Sequence, residues 1–451
     1  MRHDPFRQPG PSRALRQAWL GFAFSALLLP LSAQGIAAQA ERHVIGSLVF
    51  KVEGSTGESA LRGFTGLREG LGFPSAEALA AFLDEKRRDL VNDRVFTTVE
   101  VSDEAGPPLA GRIEHRITVH VVDSPTFVPL PNISYDSNLG LLLGAQLHYD
   151  NAFGTMSNWF FNGFAVVRER EAVYGAGPWE LHPRFDHIMV GGLAWTLDLV
   201  LRREELQLVD LGSEVAAWDG YYALADIDAK LPLGGLWRYE FQPGYQGQFG
   251  ATDRKGNGAY PKDFNGPFYR HALGFGRVDW IGNFRSGLNL RLEHLLQTDL
   301  TPGGFGLANE ISATALWYRP WSFLDYYVRA RAQADFGRAP VDLGSWMRGI
   351  SDDSMPGVAA VFLNQSLGID LGLPKGFLDI QVHPFFDLGT ALPPARTWNP
   401  RTDVRMGTGA DFLFFPVAWP DIFIRCTFGL DLGTNNPLAQ PEIILETTMS
   451  Y

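Results

Sequence analysis

The chain carries a single cysteine, Cys426, in 451 residues, which excludes an internal disulfide as a source of stability. Positive charge is also scarce: 38 Lys and Arg stand against 50 Asp and Glu, a net charge of −12. That balance argues against nucleic acid as a partner. Beyond residue 40 there is no long apolar run. The most apolar stretch, "FLFFPVAWPDIF" (412–423), holds two prolines and an aspartate, so no spanning helix reads out. Neither G-x-S-x-G nor H-E-x-x-H occurs, which removes two common hydrolase signatures. His182 and His187 are separated by Pro183 and have no cysteine near them, so a metal site is not expected. No catalytic residue, cofactor site or metal site emerges, and the chain does not read as an enzyme.

What is abundant is glycine (49), phenylalanine (32), tyrosine (13) and tryptophan (12), the composition of a β-rich chain with many turns. The first forty residues read as a signal peptide. Arg2, Arg7, Arg13 and Arg16 form a basic start, "WLGFAFSALLLPLSA" a short apolar core, and Ala38-Gln39-Ala40 a small-x-small cleavage site. Removing residues 1–40 takes away four arginines and one aspartate and lowers the net charge from −12 to −15. An exported chain without a helical anchor is periplasmic, secreted, or inserted as a barrel.

Residues 42–124 read as a small mixed domain of order β-α-α-β-β. "HVIGSLVFKVEG" is a strand, and "GESALRGFTGLREGLG" a helix weakened by its glycines. "PSAEALAAFLDEKRRDLVND" is a helix with Ser75 as its cap and Leu79, Phe82, Leu83 and Leu90 on one face. Strands "RVFTTVEVS" and "RIEHRITVHVV" follow, joined by the Gly-Pro-Pro turn at 106–108.

From residue 129 to 451 helical periodicity gives way to period-two alternation. In "GLNLRLEHL", Leu288, Leu290 and Leu292 alternate with Asn289, Arg291 and Glu293. In "DYYVRARAQADF" and "YALADIDAKL" the polar face is densely charged, as the wall of a water-filled lumen would be. Aromatics cluster near strand ends ("NWFF", "ALWYRPWSF", "LWRYEF"), as an interfacial girdle requires. At about twenty residues per strand and connection the region holds roughly sixteen strands. The expected fold is mainly β: a transmembrane antiparallel barrel behind a small α+β domain. His115, His120 and His148 fall on expected strands and read as solvated or lumen positions.

This organisation resembles the BamA/TamA superfamily of outer-membrane assembly and secretion proteins, and the small domain resembles a POTRA (polypeptide-transport-associated) domain. "LVNDRVFTTVEVS" looks like the junction from helix to second strand of that domain, with Phe96 at its aromatic position. "YDSNLGLLLGAQLHYDNAFGTMSNW" resembles the first barrel hairpin, with its turn at Asp150, Asn151, Gly154 and Thr155. Two short motifs carry most weight. The family's (V/I)-R-G-(F/Y) in its sixth loop is met by Met347-Arg348-Gly349-Ile350, with Ile350 in place of the aromatic. Its F-x-D-x-G in strand thirteen is matched by Phe385, Asp387 and Gly389. Strand twelve, "VFLNQSLGIDL", lacks the glutamate of many relatives and has Gln365 and Ser366 there.

The resemblance implies an outer-membrane location with the small domain in the periplasm. It implies polypeptide clients, unfolded or secreted, and leaves room for periplasmic or lipoprotein partners. It makes Arg348, Gly349, Phe385, Asp387 and Gly389 a loop anchor, in which an arginine fork engages a wall carboxylate. Asp352 and Asp353 are local competitors for that arginine. The family's seam between first and last strands would lie at Pro129, Pro131 and Tyr451, and prolines cannot donate ladder hydrogen bonds; the same prolines equally suit the ends of a linker and of turns. A passive porin-like channel is the alternative. It shares the barrel but needs neither the small domain nor the Arg-Gly and Asp pair.

Overall fold

The computed structural model describes residues 42–109, 111–137, 140–167, 178–191, 193–210, 213–256, 263–301, 306–337, 341–342, 344–351, 354–372, 377–393, 396–417, 422–434, 438 and 441–449. The signal segment, Asp352, Asp353 and Tyr451 lie outside the described residues.

The N-terminal unit runs β1 (Arg42–Glu53), α1 (Glu58–Thr65), β2 (Gly72–Phe73), α2 (Ala76–Asn92), β3 (Phe96–Ala105) and β4 (Arg112–Asp123). Its sheet order is β2-β1-β4-β3, with β1 and β4 parallel. One face is covered by the two helices. Leu61, Leu79, Leu83 and Leu90 pack there on Ile45, Ile117, Val119 and Val121. Ser75 Oγ accepts from the Ala78 amide at 3.2 Å and starts α2. Helix α1 is shorter than its sequence stretch suggests, because Gly66 takes a left-handed conformation (φ 66°) and ends it. The two-residue β2 between the helices is an addition to the expected order. His115 is not solvated: it is buried on the helix-covered face, 2.6 Å from Asp103 and 2.8 Å from His43.

Sixteen strands then close a barrel. They begin with β5 (Phe127–Asp136), β6 (Gly140–Tyr149), β7 (Asn158–Val167), β8 (Trp179–Val190), β9 (Leu193–Asp210) and β10 (Ser213–Gly234). Next come β11 (Trp237–Asp253), β12 (Phe264–Ile281), β13 (Phe284–Asp299), β14 (Gly306–Trp321) and β15 (Leu324–Phe336). A long loop follows, pinched by a short pair, β16 (Val341–Asp342) with β17 (Pro356–Gly357). The circuit ends with β18 (Ala359–Asp370), β19 (Leu378–Leu392), a short helix α3 (Pro400–Asp403), β20 (Val404–Pro416), β21 (Ile422–Asp431) and β22 (Glu442–Met449).

The alternation in sequence becomes inside and outside. On β13, Leu288, Leu290 and Leu292 remain 38%, 40% and 56% exposed on the outer surface. Between them Arg291 faces inward and meets Glu293 at 2.8 Å and Glu240 at 3.0 Å. An apolar outside around an ionic inside suits a barrel with lipid around it, because closure leaves no unpaired backbone edge. Among the described residues no helix is long and apolar enough to cross a membrane.

The small domain is clamped to three connections on one rim of the barrel. In the turn after β6, Gly154 O accepts from the Gly57 amide at 2.8 Å, Asn151 bonds to Thr56, and Met156 enters the small domain's core. Near the end of β8, where its register shifts, His187 meets the ring of Phe64 edge-on and lies 3.5 Å from Asp93. At the β12–β13 hairpin, Arg277 pairs with Asp89 at 2.9 Å, Asp279 accepts from Asn92 at 2.7 Å, and Arg94 lies over Trp280 at 4.3 Å.

Candidate functional site: a loop anchor joined to an open seam

The long loop lies between the eleventh and twelfth barrel strands, β15 and β18, and folds back against the inner wall. Arg348 and Asp387 meet there. Arg348 Nη2 donates to Asp387 Oδ1 at 2.7 Å, and its Nε and backbone amide donate to Oδ2 at 3.1 and 2.9 Å. Asp387, on β19, is completely buried. The same guanidinium donates through Nη1 to Ser366 Oγ and Asp411 Oδ2, both at 2.9 Å, and lies 4.1 Å above the Phe385 ring. Charge-assisted bonds of this kind are strong where water is excluded.

Glycine is required at three places around this fork. Gly349 has φ 80°, and a Cβ on it would lie 2.8 Å from the Leu430 amide nitrogen of β21. A Cβ at Gly407 would run into the Arg348 carbonyl oxygen. Gly389 likewise makes room for Met347 and Phe362. Ile350, which stands where the family has an aromatic, is fully buried with Met347, Met355 and Phe362. A branched aliphatic fills that space, so the anchor does not depend on a ring there. Ser366 stands in the neighbourhood where a glutamate was expected and takes one of the arginine's bonds.

Three participants were not singled out from sequence: Asp411, Arg425 and Glu446. Asp411 Oδ1 accepts from Thr427 Oγ1 at 2.6 Å and from Arg425 Nε at 3.3 Å. Arg425 Nη1 reaches Glu446 Oε1 at 3.3 Å. The Gly349 amide also donates to Glu442 Oε2 at 2.6 Å. An ionic chain, Asp387–Arg348–Asp411–Arg425–Glu446, therefore runs from the loop to the last strand. Period-two reading of "VRMGTGADFLFFP" places Asp411 inside, but not which inward charge meets the arginine.

The last strand meets the first at the seam. β5 and β6 pair over ten positions and β21 with β22 over eight. By contrast β22 and β5 pair, among the described residues, at two, Ile444 with Asp136 and Leu445 with Tyr135. The Ser137 amide donates to the Ile443 carbonyl at 2.9 Å. Alternate residues of an antiparallel strand direct their backbone groups to opposite neighbours. β5 holds unbroken register with β6, so its odd-numbered residues face β22. Pro129 and Pro131 are odd. Their missing N–H groups are missing at the seam, while the β5–β6 ladder is untouched. Below the two paired positions a cleft of about 320 Å³ opens, lined by Asn132, Ser134, Gln146, Asn162, Glu446 and their neighbours.

No family model matches the sequence, and no curated protein matches it. Solved structures do. CdiB from Acinetobacter baumannii aligns over 92% of this chain and 74% of its own, at 11% identity and a TM-score of 0.59. CdiB from Escherichia coli aligns over 94% and 93%, at 12% identity and a TM-score of 0.52. BamA from Haemophilus ducreyi lacking POTRA domains 1–3 aligns over 90% and 84%, at 13% identity and a TM-score of 0.49. The protein has the fold of the CdiB barrels, a sixteen-strand β-barrel behind a small α+β domain.

Proposed function

We propose that the protein is a non-enzymatic outer-membrane barrel that helps polypeptides insert into or cross the membrane through the β22–β5 seam, with its small domain in the periplasm. One observation carries this reading: the weakest joint of the barrel is also the joint to which the lumen loop is wired. Among the described residues two paired positions hold the seam. A few net hydrogen bonds at about 1 kcal/mol each are a small barrier to opening. The loop ties β18, β19, β20 and β22 into one wall through Ser366, Asp387, Asp411 and Glu442, and Arg425 of β21 bridges Asp411 to Glu446, so that separation is confined to the β5 side. The free backbone of an open edge can template an incoming strand by β-augmentation. No nucleotide is needed, because folding of the client in lipid supplies the free energy.

A passive channel is the second reading. It is favoured by a lumen cavity of about 470 Å³ beside the loop, lined by Arg285, Arg329, Asp325 and Glu442 among others.

The test reconstitutes the mature protein in liposomes and follows the folding rate of a urea-unfolded outer-membrane barrel client. Wild type should accelerate folding, and Arg348→Ala and Asp387→Ala should lose that effect while remaining folded themselves. No acceleration, together with a stable open conductance in the same membranes, would sink the insertion reading and leave the channel.

A further inference from the structure

On the apolar outer surface a polar notch spans four consecutive strands. Tyr239 of β11, Tyr269 and His271 of β12, His294 of β13 and Asn309 of β14 share the outward parity of their strands. Leu273, Leu292 and Ile311 lie on the same faces and are 40%, 56% and 41% exposed. The polar groups are ordered among themselves. Tyr239 and Tyr269 hydroxyls lie 3.1 Å apart. His271 Nε2 lies 3.0 Å from His294 Nδ1, and His294 Nε2 lies 3.2 Å from Asn309 Oδ1. With the Asn309 oxygen accepting, His294 carries its proton on Nε2, so its Nδ1 accepts from His271 Nε2–H. That fixes the tautomer of His271 and leaves its Nδ1 without a partner among the described residues. The ring stacks on Tyr269 at 5.4 Å (22°) and abuts Tyr239 at 6.0 Å.

Ionisable groups on a lipid-facing surface are costly and mark function by default. His271 and His294 each lie ten residues along their strands from the β12–β13 turn. At about 3.3 Å per residue and a tilt of roughly 40°, that is roughly 25 Å, toward the outer edge of an apolar band about 25 Å tall. Phosphates of lipid headgroups begin at that depth.

We propose that this notch binds the phosphate group of a membrane lipid, with His271 Nδ1 and a tyrosine hydroxyl as its contacts. The proton between Nδ1 and a phosphate oxygen forms a hydrogen bond from either side, as imidazolium N–H to oxygen or as P–O–H to nitrogen. The second tyrosine hydroxyl hydrogen is free to donate, because one hydroxyl pair uses only one. Acyl chains would lie along Leu273, Leu292 and Ile311. The inference rests on the membrane-barrel reading given above.

The experiment uses the full mature chain folded in detergent and native mass spectrometry, titrating dioleoyl phosphatidic acid against dioleoylglycerol, which has the same chains without phosphate. Wild type should retain phosphatidic acid selectively. His271→Leu should weaken that retention about tenfold, the worth of one charge-assisted hydrogen bond. His271→Gln, which keeps a polar group, gives a second variant should leucine disturb folding. Equal retention by wild type and variants would overturn the proposal. Binding of inorganic phosphate as strong as that of the lipid would refute a lipid ligand. A dimer lost on His271→Leu, without lipid selectivity, would refute it in favour of self-association. Failure to show a heat-modifiable folded band in vesicles would instead strike the membrane-barrel reading itself.

Discussion

Replacing Pro129 and Pro131 by valine should zip the seam. Both prolines face β22 with no N–H, and their side chains lie on the exposed outer side. Valine restores two donors on the edge and suits a strand. In the extended register Ile133 would oppose Thr447 and residue 131 would oppose residue 449, adding paired positions to the present two. Each restored ladder bond is worth about 0.5–1.5 kcal/mol net, so the two favour the closed seam by about 1–3 kcal/mol. That is roughly a five- to hundred-and-fifty-fold shift in the open-to-closed ratio. The greater freedom of the unfolded valine chain changes folding free energy by under about 1 kcal/mol per site, but not the balance between two folded states. The assay places cysteines at Ile133 and Thr447 in a Cys426→Ser background and measures the rate of oxidative crosslinking in liposomes. The double valine variant should crosslink several-fold faster and accelerate client folding less. Equal crosslinking rates with and without the prolines would refute the claim that they hold the seam open.

Three further outcomes follow from the geometry. Arg348→Ala leaves buried Asp387 without its cation and Asp411 with Arg425 alone, a loss on the order of 3–5 kcal/mol, and should raise hydrogen exchange at Gly349 and Ile350 while the barrel stays closed; Arg348→Lys, which keeps charge but not the fork, should fall between. Met156→Ala should destabilise the small domain by about 2–5 kcal/mol and lower its melting temperature, although the residue belongs to the barrel, and unchanged melting would show that the two parts are not packed together. Burial holds the Asp93 carboxyl above the usual carboxylate range, with His187 opposing and Asp186 adding to the rise. A carboxyl raised in the folded state favours that state at low pH and loses the benefit as pH rises through the folded value. Asp93→Asn should therefore protect α2 amides at pH 8 and flatten their pH dependence, and an unaltered pH slope would refute this.

Much of the fold was legible because its period is simple. Two-residue alternation marks inside and outside one strand at a time: in "LDIQVHPFFDLG" it sets Asp379, Gln381, His383, Phe385 and Asp387 on one face and Leu378, Ile380, Val382, Phe386 and Leu388 on the other. What it could not supply is how far each strand slides past its neighbour. Asp411 and Arg425 meet Arg348 and Glu446 only through the pairing of β19, β20 and β21. The strand β2 escaped notice because two residues have no period. His115 was expected at a solvated or lumen position, yet it shares the strand face of Ile117 and Val119, which the two helices cover. The turn at Asp150 to Thr155 was visible as a turn. Its service to another domain was not, since nothing local distinguishes a methionine that ends a turn from one that fills a distant core.

Met156 ties the fates of the two parts together. The small domain precedes the barrel in the chain, yet its core is finished by a side chain from beyond the second barrel strand. Until that segment arrives the domain carries a hole where a methionine belongs, and it opens more readily to a protease. Its resistance to cleavage thus reports on whether the segment after the second barrel strand has docked.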